Sequence, residues 1–328
     1  MDLFKNPPAN EGLNAIARQY FKRALNEANM RFNKTKKCHA KDIDDAFRHE
    51  VRNKKIAGVI DTIESLMEVE IKSGNYTTDT GQKKSFEFRV APKNHIYSNF
   101  SSLAYPILNT PSTFGTIFYF HTTDNVKTII GADKIGHFFE TSIDFFEKGK
   151  EKFNKLIRTN MTAPAALFFA VKMVVEESEK TEDGLFGIGT GLGKYMRIGS
   201  GVKSYADLAC NYKGAVFWTE LTSEHSFGEI DRKNKKPYYE CDDDNGWKQI
   251  REFNFEDYIN AGWDEGINPN TYKLPESLEE IKKIVKSLYL EGKTESPHFP
   301  LNKQACVDAM KYYPKVFVEK IFSPLCFD

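Results

Sequence analysis

Residues 162–179 read TAPAALFFAVKMVVEESE, and this stretch decides how the chain is expected to fold. Thr162 is a favourable N-cap residue, and Pro164 suits a first helical turn, where its missing N–H costs nothing. The run from Ala165 to Val175 is apolar on nearly every side, which is typical of a helix buried all round rather than lying on the surface. We therefore expect residues 162–179 to form the central helix.

Helical spacing continues on both sides of this segment. Apolar residues recur at intervals of three and four in seven further stretches: 10–32, 41–51, 56–69, 133–146, 203–221, 255–266 and 278–290. Residues 70–130 are rich in turn formers and predict irregular connections with one hairpin, and residues 237–251 predict a second hairpin around Asn245-Gly246. The expected fold is mainly α, in the α+β sense, with a small Gly-rich or β lobe.

The composition excludes some classes of protein. The chain has 328 residues, and its 46 Lys and Arg balance its 46 Asp and Glu. A nucleic-acid-binding protein needs a basic excess to displace counterions from phosphate, so none is expected here. Residues 163–175 are interrupted by Pro164 and Lys172 and fall short of the roughly 20 apolar residues of a membrane span. The first residues are neither basic nor apolar, so we expect no export leader in them.

The five cysteines contain no Cys-x-x-Cys pair, which argues against a zinc ribbon or a thioredoxin-like site. Cys306 and Cys326 bracket a short segment that a disulfide would close in an oxidising compartment. Reduced, buried thiols fit the sequence equally well.

A first candidate site lies at Asp133, His137, Glu140 and Asp144. Their spacing of four, three and four places them on one face of one helix. A carboxylate one turn before His137 can orient the imidazole, and Glu140, beside Phe139, can be dry enough to keep its proton as a general acid. The same pattern fits a structural polar network, or a metal site in which His137 and carboxylates activate water.

A second candidate is Glu177, in the acidic end of the apolar helix before a glycine-rich segment. The negative end of a helix dipole and partial burial both favour a protonated carboxyl there. A solvated acidic helix end is the alternative.

Two resemblances bear on these candidates. Glu177-Ser178 followed by Gly184-Leu185-x-x-Ile188 is similar to the goose-type lysozyme and lytic transglycosylase pattern, which implies that Glu177 is the general acid. Over residues 128–268, the motifs DKxxHFF at 133–139, GVxSYADLxxNYxGxxFW at 201–218 and AxWDExIN at 261–268 resemble a family of exported proteins of predatory and related Gram-negative bacteria. That family includes a lysozyme acting on deacetylated peptidoglycan.

The second resemblance implies an exported glycosidase that needs no cofactor or metal and acts on peptidoglycan glycan strands. It also implies an N-terminal helical and irregular region at 1–127 and a lysozyme-like catalytic domain at 128–328. Within the second motif, Tyr205, Tyr212 and Trp218 offer faces for sugar rings, unless they are core residues.

Asp207 and Asn211, four apart on a helix, suit the hydroxyl or amino groups of a sugar. An acid such as Asp207 favours a charged, deacetylated amine. Candidate substrate-binding residues are thus His137, Tyr205, Asp207 and Asn211. The sequence leaves open a metal-dependent hydrolase using His137 with carboxylates, and a non-catalytic exported binding or effector protein.

Overall fold

The computed structural model of the chain describes residues 9–51, 75–78, 80–85, 117–183, 202–222, 237–272 and 298–327, together with Met67, Ile71, Ser73, Glu279, Lys282 and Lys283. The helices are α1 (Asn10–Thr35), α2 (Ala40–Val51), α3 (Ala132–Gly136), α4 (Ser142–Arg158), α5 (Ala163–Asp183), α6 (Tyr205–Glu220), α7 (Lys303–Ala309) and α8 (Val318–Ile321). A π-helical turn, His137–Thr141, joins α3 to α4. Short 3-10 turns occupy Phe255–Asp257, Ala261–Trp263, Met310–Tyr312, Lys315–Phe317 and Pro324–Cys326.

The strands in the described residues form four antiparallel pairs. They are β1 (Asn75–Thr77) with β2 (Lys83–Ser85), β3 (Ile117–His121) with β4 (Lys127–Gly131), β5 (Val202–Lys203) with β8 (Thr271–Tyr272), and β6 (Tyr239–Asp242) with β7 (Gly246–Gln249). The molecule is mainly helical with small β elements, so the predicted fold class is confirmed.

Helix α6 lies at the centre of the core, and all of its residues are buried. It packs against the π turn, α4 and α5. Phe217 of α6 lies within an aromatic cluster, where its ring contacts those of Phe21, Phe47, Phe138, Phe139, Trp218, Tyr238, Phe253 and Tyr258. Because Phe21 and Phe47 come from α1 and α2, the N-terminal helices share one core with the rest of the described chain.

The central helix is not the one that the sequence predicts. Helix α5 begins at Ala163, as expected, but Phe168 is 44% exposed and Phe169 is 40% exposed. Their rings contact one another, and Phe168 stacks against Phe317 at 5.7 Å between centroids. Helix α5 therefore buries one side and leaves another at the surface, and the prediction that it is buried all round is wrong.

Other predicted elements have mixed outcomes. The structure confirms α1, α2, α6 and the 237–251 hairpin, in which Gly246 takes a φ of 82°. Within 70–130, the described residues alone contain two hairpins, where one is predicted. The expected helix at 255–266 is wrong, because Asn254 and Asn260 cap two separate 3-10 turns by accepting from the N–H groups of Glu256 and Gly262. The helices predicted at 56–69 and 278–290, and the Gly-rich lobe at 184–201, fall outside the described residues or almost entirely so.

Two disulfides join distant parts of the described chain. Cys306–Cys326 closes the C-terminal segment, so the disulfide interpretation of this pair is confirmed. Cys38–Cys241 ties the connection after α1 to β6, a pairing that the sequence did not suggest. The proposed domain boundary at residue 127 falls inside the β3–β4 hairpin. Among the described helices, none combines the length and apolarity that a bilayer crossing requires.

Candidate functional site

The site begins where β4 passes directly into α3. Gly131 ends the strand, and the Asp133 carboxyl folds back over the helix start so closely that a Cβ on Gly131 would lie 2.0 Å from Asp133 Oδ1. A negative group is favourable at this end of a helix, where the peptide N–H groups are unpaired. Gly131 therefore provides the space that places the Asp133 carboxylate at the site.

Lys134 is the central cation of the site. Its side chain is only 3% exposed, and its Nζ lies 2.8 Å from Asp133 Oδ2, 2.6 Å from Asp207 Oδ1 and 2.7 Å from Glu265 Oε1. Burial alone would lower the pKa of this lysine, but the three carboxylates raise it well above its ordinary value. Lys134 is therefore a fixed ammonium that links three segments of the chain.

His137 lies beside this cluster, one turn after Asp133. Its Nδ1 is 3.2 Å from Asn211 Oδ1, and its Nε2 is 3.5 Å from Asp207 Oδ2. Asn211 Nδ2 donates to Ser178 Oγ at 2.9 Å, which directs the amide oxygen of Asn211 toward the ring. The groups next to both ring nitrogens of His137 thus come from α6. The sequence predicts that Asp133 orients the ring, but the Asp133 carboxylate instead accepts a hydrogen bond from Lys134.

The first turns of helix α6 place its polar residues at the site, and the helix begins at a capping residue. Ser204 is its N-cap and accepts the Asp207 N–H at 3.2 Å. Asp207 and Asn211 share a face, as their spacing predicts, and both point to His137. The Ser204 hydroxyl also lies 3.4 Å from Glu265 Oε1, which joins the helix start to the third segment.

Glu265 and Lys134 are not among the candidate residues that the sequence predicts, although both lie in the quoted motifs. The loop of Glu265 is anchored by Asp264, whose carboxylate accepts the backbone N–H groups of Ile129 at 2.7 Å and Gly266 at 2.8 Å. Burial raises the pKa of Asp264 to about 6. The acidic Asp-Glu pair in the AxWDExIN motif was the available signal for Glu265.

All three sequence motifs converge on this one cluster. We call it the Lys134 cluster and define it as Asp133, Lys134, His137, Ser204, Asp207, Asn211 and Glu265. Three carboxylates and one ammonium, −3 and +1, leave it with a formal charge of −2 before His137 is counted. It is not sealed, because the Asp133 side chain is 36% exposed and those of His137 and Glu265 are partly exposed. The arrangement suits a cationic group arriving from solvent.

Glu140 does not follow the regular helix that the sequence predicts. It belongs to the π turn, in which the Ser142 N–H bonds to His137 O, five residues back. Residues 133–144 are thus two helices joined by a wider turn, so the prediction of one continuous polar face is wrong. Glu140 is half-buried, and its Oε2 is shielded from solvent. The two residues before it in the chain, Phe138 and Phe139, are fully buried. Isolated π turns inside α-helices are frequent at functional sites.

Glu177 has different surroundings. Its Oε2 lies 2.6 Å from the Nζ of Lys148 on α4, and the side chains of Glu177 and Lys148 are 20% and 51% exposed. A neighbouring ammonium favours a charged carboxylate, whereas a general acid must hold its proton. The next residue, Ser178, is buried and reaches the Lys134 cluster through Asn211. Glu177 is thus paired with a cation, and Glu140 has one carboxyl oxygen shielded from solvent.

The expected aromatic wall is not open to solvent. Tyr205, Tyr212 and Trp218 are all buried, and the Trp218 indole Nε1–H donates to Phe139 O at 3.1 Å. Tyr205 is covered on one side by Lys203, whose Nζ is 5.3 Å from the ring centroid. Tyr205 is thus buried, and its assignment as a substrate-binding residue stays a prediction, whereas Trp218 is a core residue.

The carboxylates of Asp133, Asp207 and Glu265 lie close enough together to hold a metal ion. Oxygen-only ligand sets suit hard cations such as Mg²⁺ and Ca²⁺. In this structure the Lys134 ammonium already lies within hydrogen-bond distance of all three carboxylates, so a metal there would have to displace it. These residues fit their own lysine better than a metal.

No known protein family, no curated protein and no solved structure matches this chain. The likeness to the exported family therefore remains a prediction from the three motifs.

Proposed function

We propose that this protein is a glycosidase that cleaves peptidoglycan glycan strands and prefers deacetylated glycan, with Glu140 as general acid. The observation that carries the proposal is the convergence of the three motifs on the partly exposed Lys134 cluster. Residues 133–139, 201–218 and 261–268 are far apart in sequence, yet each contributes a charged group that contacts Lys134 or is Lys134 itself.

The charge of the cluster supports the preference for deacetylated glycan. Removing the acetyl group from an amino sugar leaves a primary ammonium at neutral pH, and a site with a formal charge of −2 attracts it. Asp133 is the most solvent-accessible of the three carboxylates and is placed to meet such a group. His137, Asp207 and Asn211 would then bind neighbouring polar groups of the sugar.

The position of Glu140 supports its assignment as the acid. A glycosidase acid must give its proton to the glycosidic oxygen while the bond from that oxygen to the anomeric carbon breaks, and water then supplies the hydroxyl of the new sugar end. The Glu140 carboxyl is half-buried, follows two buried phenylalanines in the chain and has one oxygen shielded from solvent. Glu140 lies three residues after His137, so the acid and the sugar-binding groups share one short segment.

The two disulfides support the proposed export. Stable disulfides are typical of the periplasm and the extracellular space and rare in the cytosol. Cys38–Cys241 is the more informative pair, because it joins segments far apart in the chain.

The test is glycan release from purified sacculi, both native and chemically deacetylated, by the parent and by Glu140→Gln, Glu177→Gln and Glu176→Gln. We expect Glu140→Gln to lose at least about a hundredfold in rate, in line with the loss of a general acid. Glu176→Gln is the matched control, since Glu176 pairs with Lys172 on the same helix. Muropeptide analysis identifies the bond that is cut.

We expect the parent to release more glycan from the deacetylated sacculi than from the native ones. Equal clearing by the parent and by Glu140→Gln would overturn the assignment of the acid. Failure of the parent to release glycan from either substrate would overturn the function itself.

A further inference from the structure

The π turn that carries Glu140 is held from outside its own helix. An α-helix that admits a π turn gains one extra residue and poorer hydrogen-bond geometry, so such turns are rare and short. In this turn two carbonyls receive side-chain donors. Phe138 O accepts the hydroxyl of Ser142, and Phe139 O accepts the indole N–H of Trp218 at 3.1 Å.

The Trp218 bond is a tertiary contact that reaches the residue directly before Glu140. Trp218 is fully buried in α6, so its indole N–H has no access to water as a substitute partner. A buried donor left without a partner costs about 1–3 kcal/mol. The indole N–H and the Phe139 carbonyl therefore satisfy each other's hydrogen-bonding need. The position of α6 thus sets the orientation of the peptide between Phe139 and Glu140.

Gly214 allows α6 to come this close. A Cβ at Gly214 would lie 2.0 Å from Phe138 O and 2.5 Å from Ser142 Cβ, so no larger residue fits without moving one of the two helices. The backbone of α6 thus lies directly against the π turn, one turn of helix before Trp218. Gly214 and Trp218 together fix both the distance and the register between the two segments.

We propose that Trp218 and Gly214 are positioning residues, which hold the π turn open and so set the direction of the Glu140 carboxyl. This inference rests on the proposed function, because it assigns to the two residues an effect on the acid. If the π turn relaxed into a regular α-helix, the residues on its two sides would rotate relative to each other. The Glu140 carboxyl would then point in a different direction from the end of the turn.

The test compares Trp218→Phe with Trp247→Phe. Both variants exchange a buried indole for a phenyl ring, but only Trp218 donates to the π turn, whereas Trp247 Nε1 makes no hydrogen bond within the described part of the chain. On deacetylated sacculi, we expect Trp218→Phe to lower kcat roughly tenfold to a hundredfold, since misplacement of a catalytic group by about 1 Å has an effect of that size. KM should stay within about twofold of the parent, because the Lys134 cluster is unchanged. Trp247→Phe should keep the kcat of the parent.

Hydrogen exchange provides a readout that does not depend on activity. The Ser142 amide bonds to His137 O in the π geometry and would bond to Phe138 O in a regular α-helix, so its exchange rate should change in Trp218→Phe and stay that of the parent in Trp247→Phe. If Trp218→Phe does not fold, Ser142→Ala takes its place, since it removes the other donor with a minimal change in volume.

The outcomes separate this inference from the proposed function. If Glu140→Gln is inactive while Trp218→Phe keeps the kcat of the parent, the positioning role is wrong. If Trp218→Phe and Trp247→Phe lose kcat equally, the loss reflects core packing, and the positioning role is again wrong. If Glu140→Gln is as active as the parent, the assignment of the acid fails, and the exchange experiment alone still decides whether Trp218 holds the turn.

Discussion

Helices α5 and α6 show that apolarity along a sequence does not decide which helix is central. Helix α5 contains the longest apolar run, yet Phe168 and Phe169 face solvent. Helix α6 includes Asp207, Asn211 and Lys213, and every one of its residues is buried. The difference lies in what surrounds each helix, since α6 has packing partners on all sides and α5 has them on one.

The polar residues of α6 can be buried because each finds a partner there. Asp207 pairs with Lys134, and Asn211 bonds Ser178. At the other end of the helix, Glu220 Oε2 accepts from Arg251 at 2.5 Å and from the Tyr258 hydroxyl at 2.7 Å. Buried charges that are paired and hydrogen-bonded avoid most of the desolvation penalty that isolated charges suffer. The candidate site is thus a product of the central position of α6.

The largest expected effect comes from removing the cation that α6 depends on. Lys134→Ala leaves three carboxylates near one another in a mostly buried position, and breaking a buried ion pair in this way costs about 3–5 kcal/mol. We expect a loss near the upper end, about 5 kcal/mol, in the free energy of unfolding measured with urea. Lys172→Ala on α5 is the control, because its ammonium is 44% exposed and makes one loose pair with Glu176 at 3.6 Å. Similar losses in the two variants would contradict the special role of the buried cation.

A smaller effect distinguishes the two helices by their aromatic residues. Phe217→Ala on α6 removes a fully buried ring and should cost about 4 kcal/mol. Phe169→Ala on α5 removes a ring that is 40% exposed and should cost less than about 1 kcal/mol. Thermal unfolding by circular dichroism, analysed alongside urea titration, measures both. A Phe169→Ala loss as large as that of Phe217→Ala would mean that α5 is buried in solution, as its sequence suggests.

Much of the fold is predictable because it depends on local patterns. The 3.6-residue period identifies α1 and α6, and Asn245-Gly246 identifies the β6–β7 hairpin, since Gly246 adopts a positive φ. The π turn is not predictable in this way. It depends on the Trp218 indole and on the close approach at Gly214, both of which come from a helix more than 70 residues away along the chain.

The candidate site is predictable in part for the same reason. The spacing of Asp207 and Asn211 places them on one face, and the structure brings both to His137. Lys134 lies next to the predicted polar face rather than on it, so its central role appears only when α6 and the 264–266 loop are in place. Glu265 follows a Trp and an Asp in a segment whose spacing predicts a helix, and no local period marks it as a partner of Lys134.

The smallest expected effect on stability concerns Asp264, a buried carboxylate outside α6. Comparing it with Asp207 and Glu220 tests whether a cationic partner is what allows the α6 carboxylates to be buried. Unlike Asp207 and Glu220, it is held by backbone N–H groups, from Ile129 and Gly266. Burial raises its pKa from 3.8 to about 6 in the folded protein, which corresponds to about 3 kcal/mol between its two protonation states. Between these two pH values the folded state binds a proton that the unfolded state does not. The stabilisation that proton binding to Asp264 provides is therefore largest near pH 4 and is lost as the pH rises through 6.

Urea unfolding at pH 4, 5 and 6 measures this contribution when the parent is compared with Asp264→Asn, which cannot titrate. Asparagine keeps the shape but offers one acceptor oxygen instead of two, so the variant should be less stable at every pH. We expect the difference in unfolding free energy between parent and variant to shrink by about 2 kcal/mol from pH 4 to pH 6, which is the part of the full change of about 3 kcal/mol that falls in this pH range. Asp257→Asn, at an exposed position nearby, is the control and should leave the pH dependence of the parent unchanged. If the difference in unfolding free energy between parent and Asp264→Asn does not change with pH, the two backbone donors stabilise the charged Asp264 carboxylate as well as Lys134 stabilises that of Asp207.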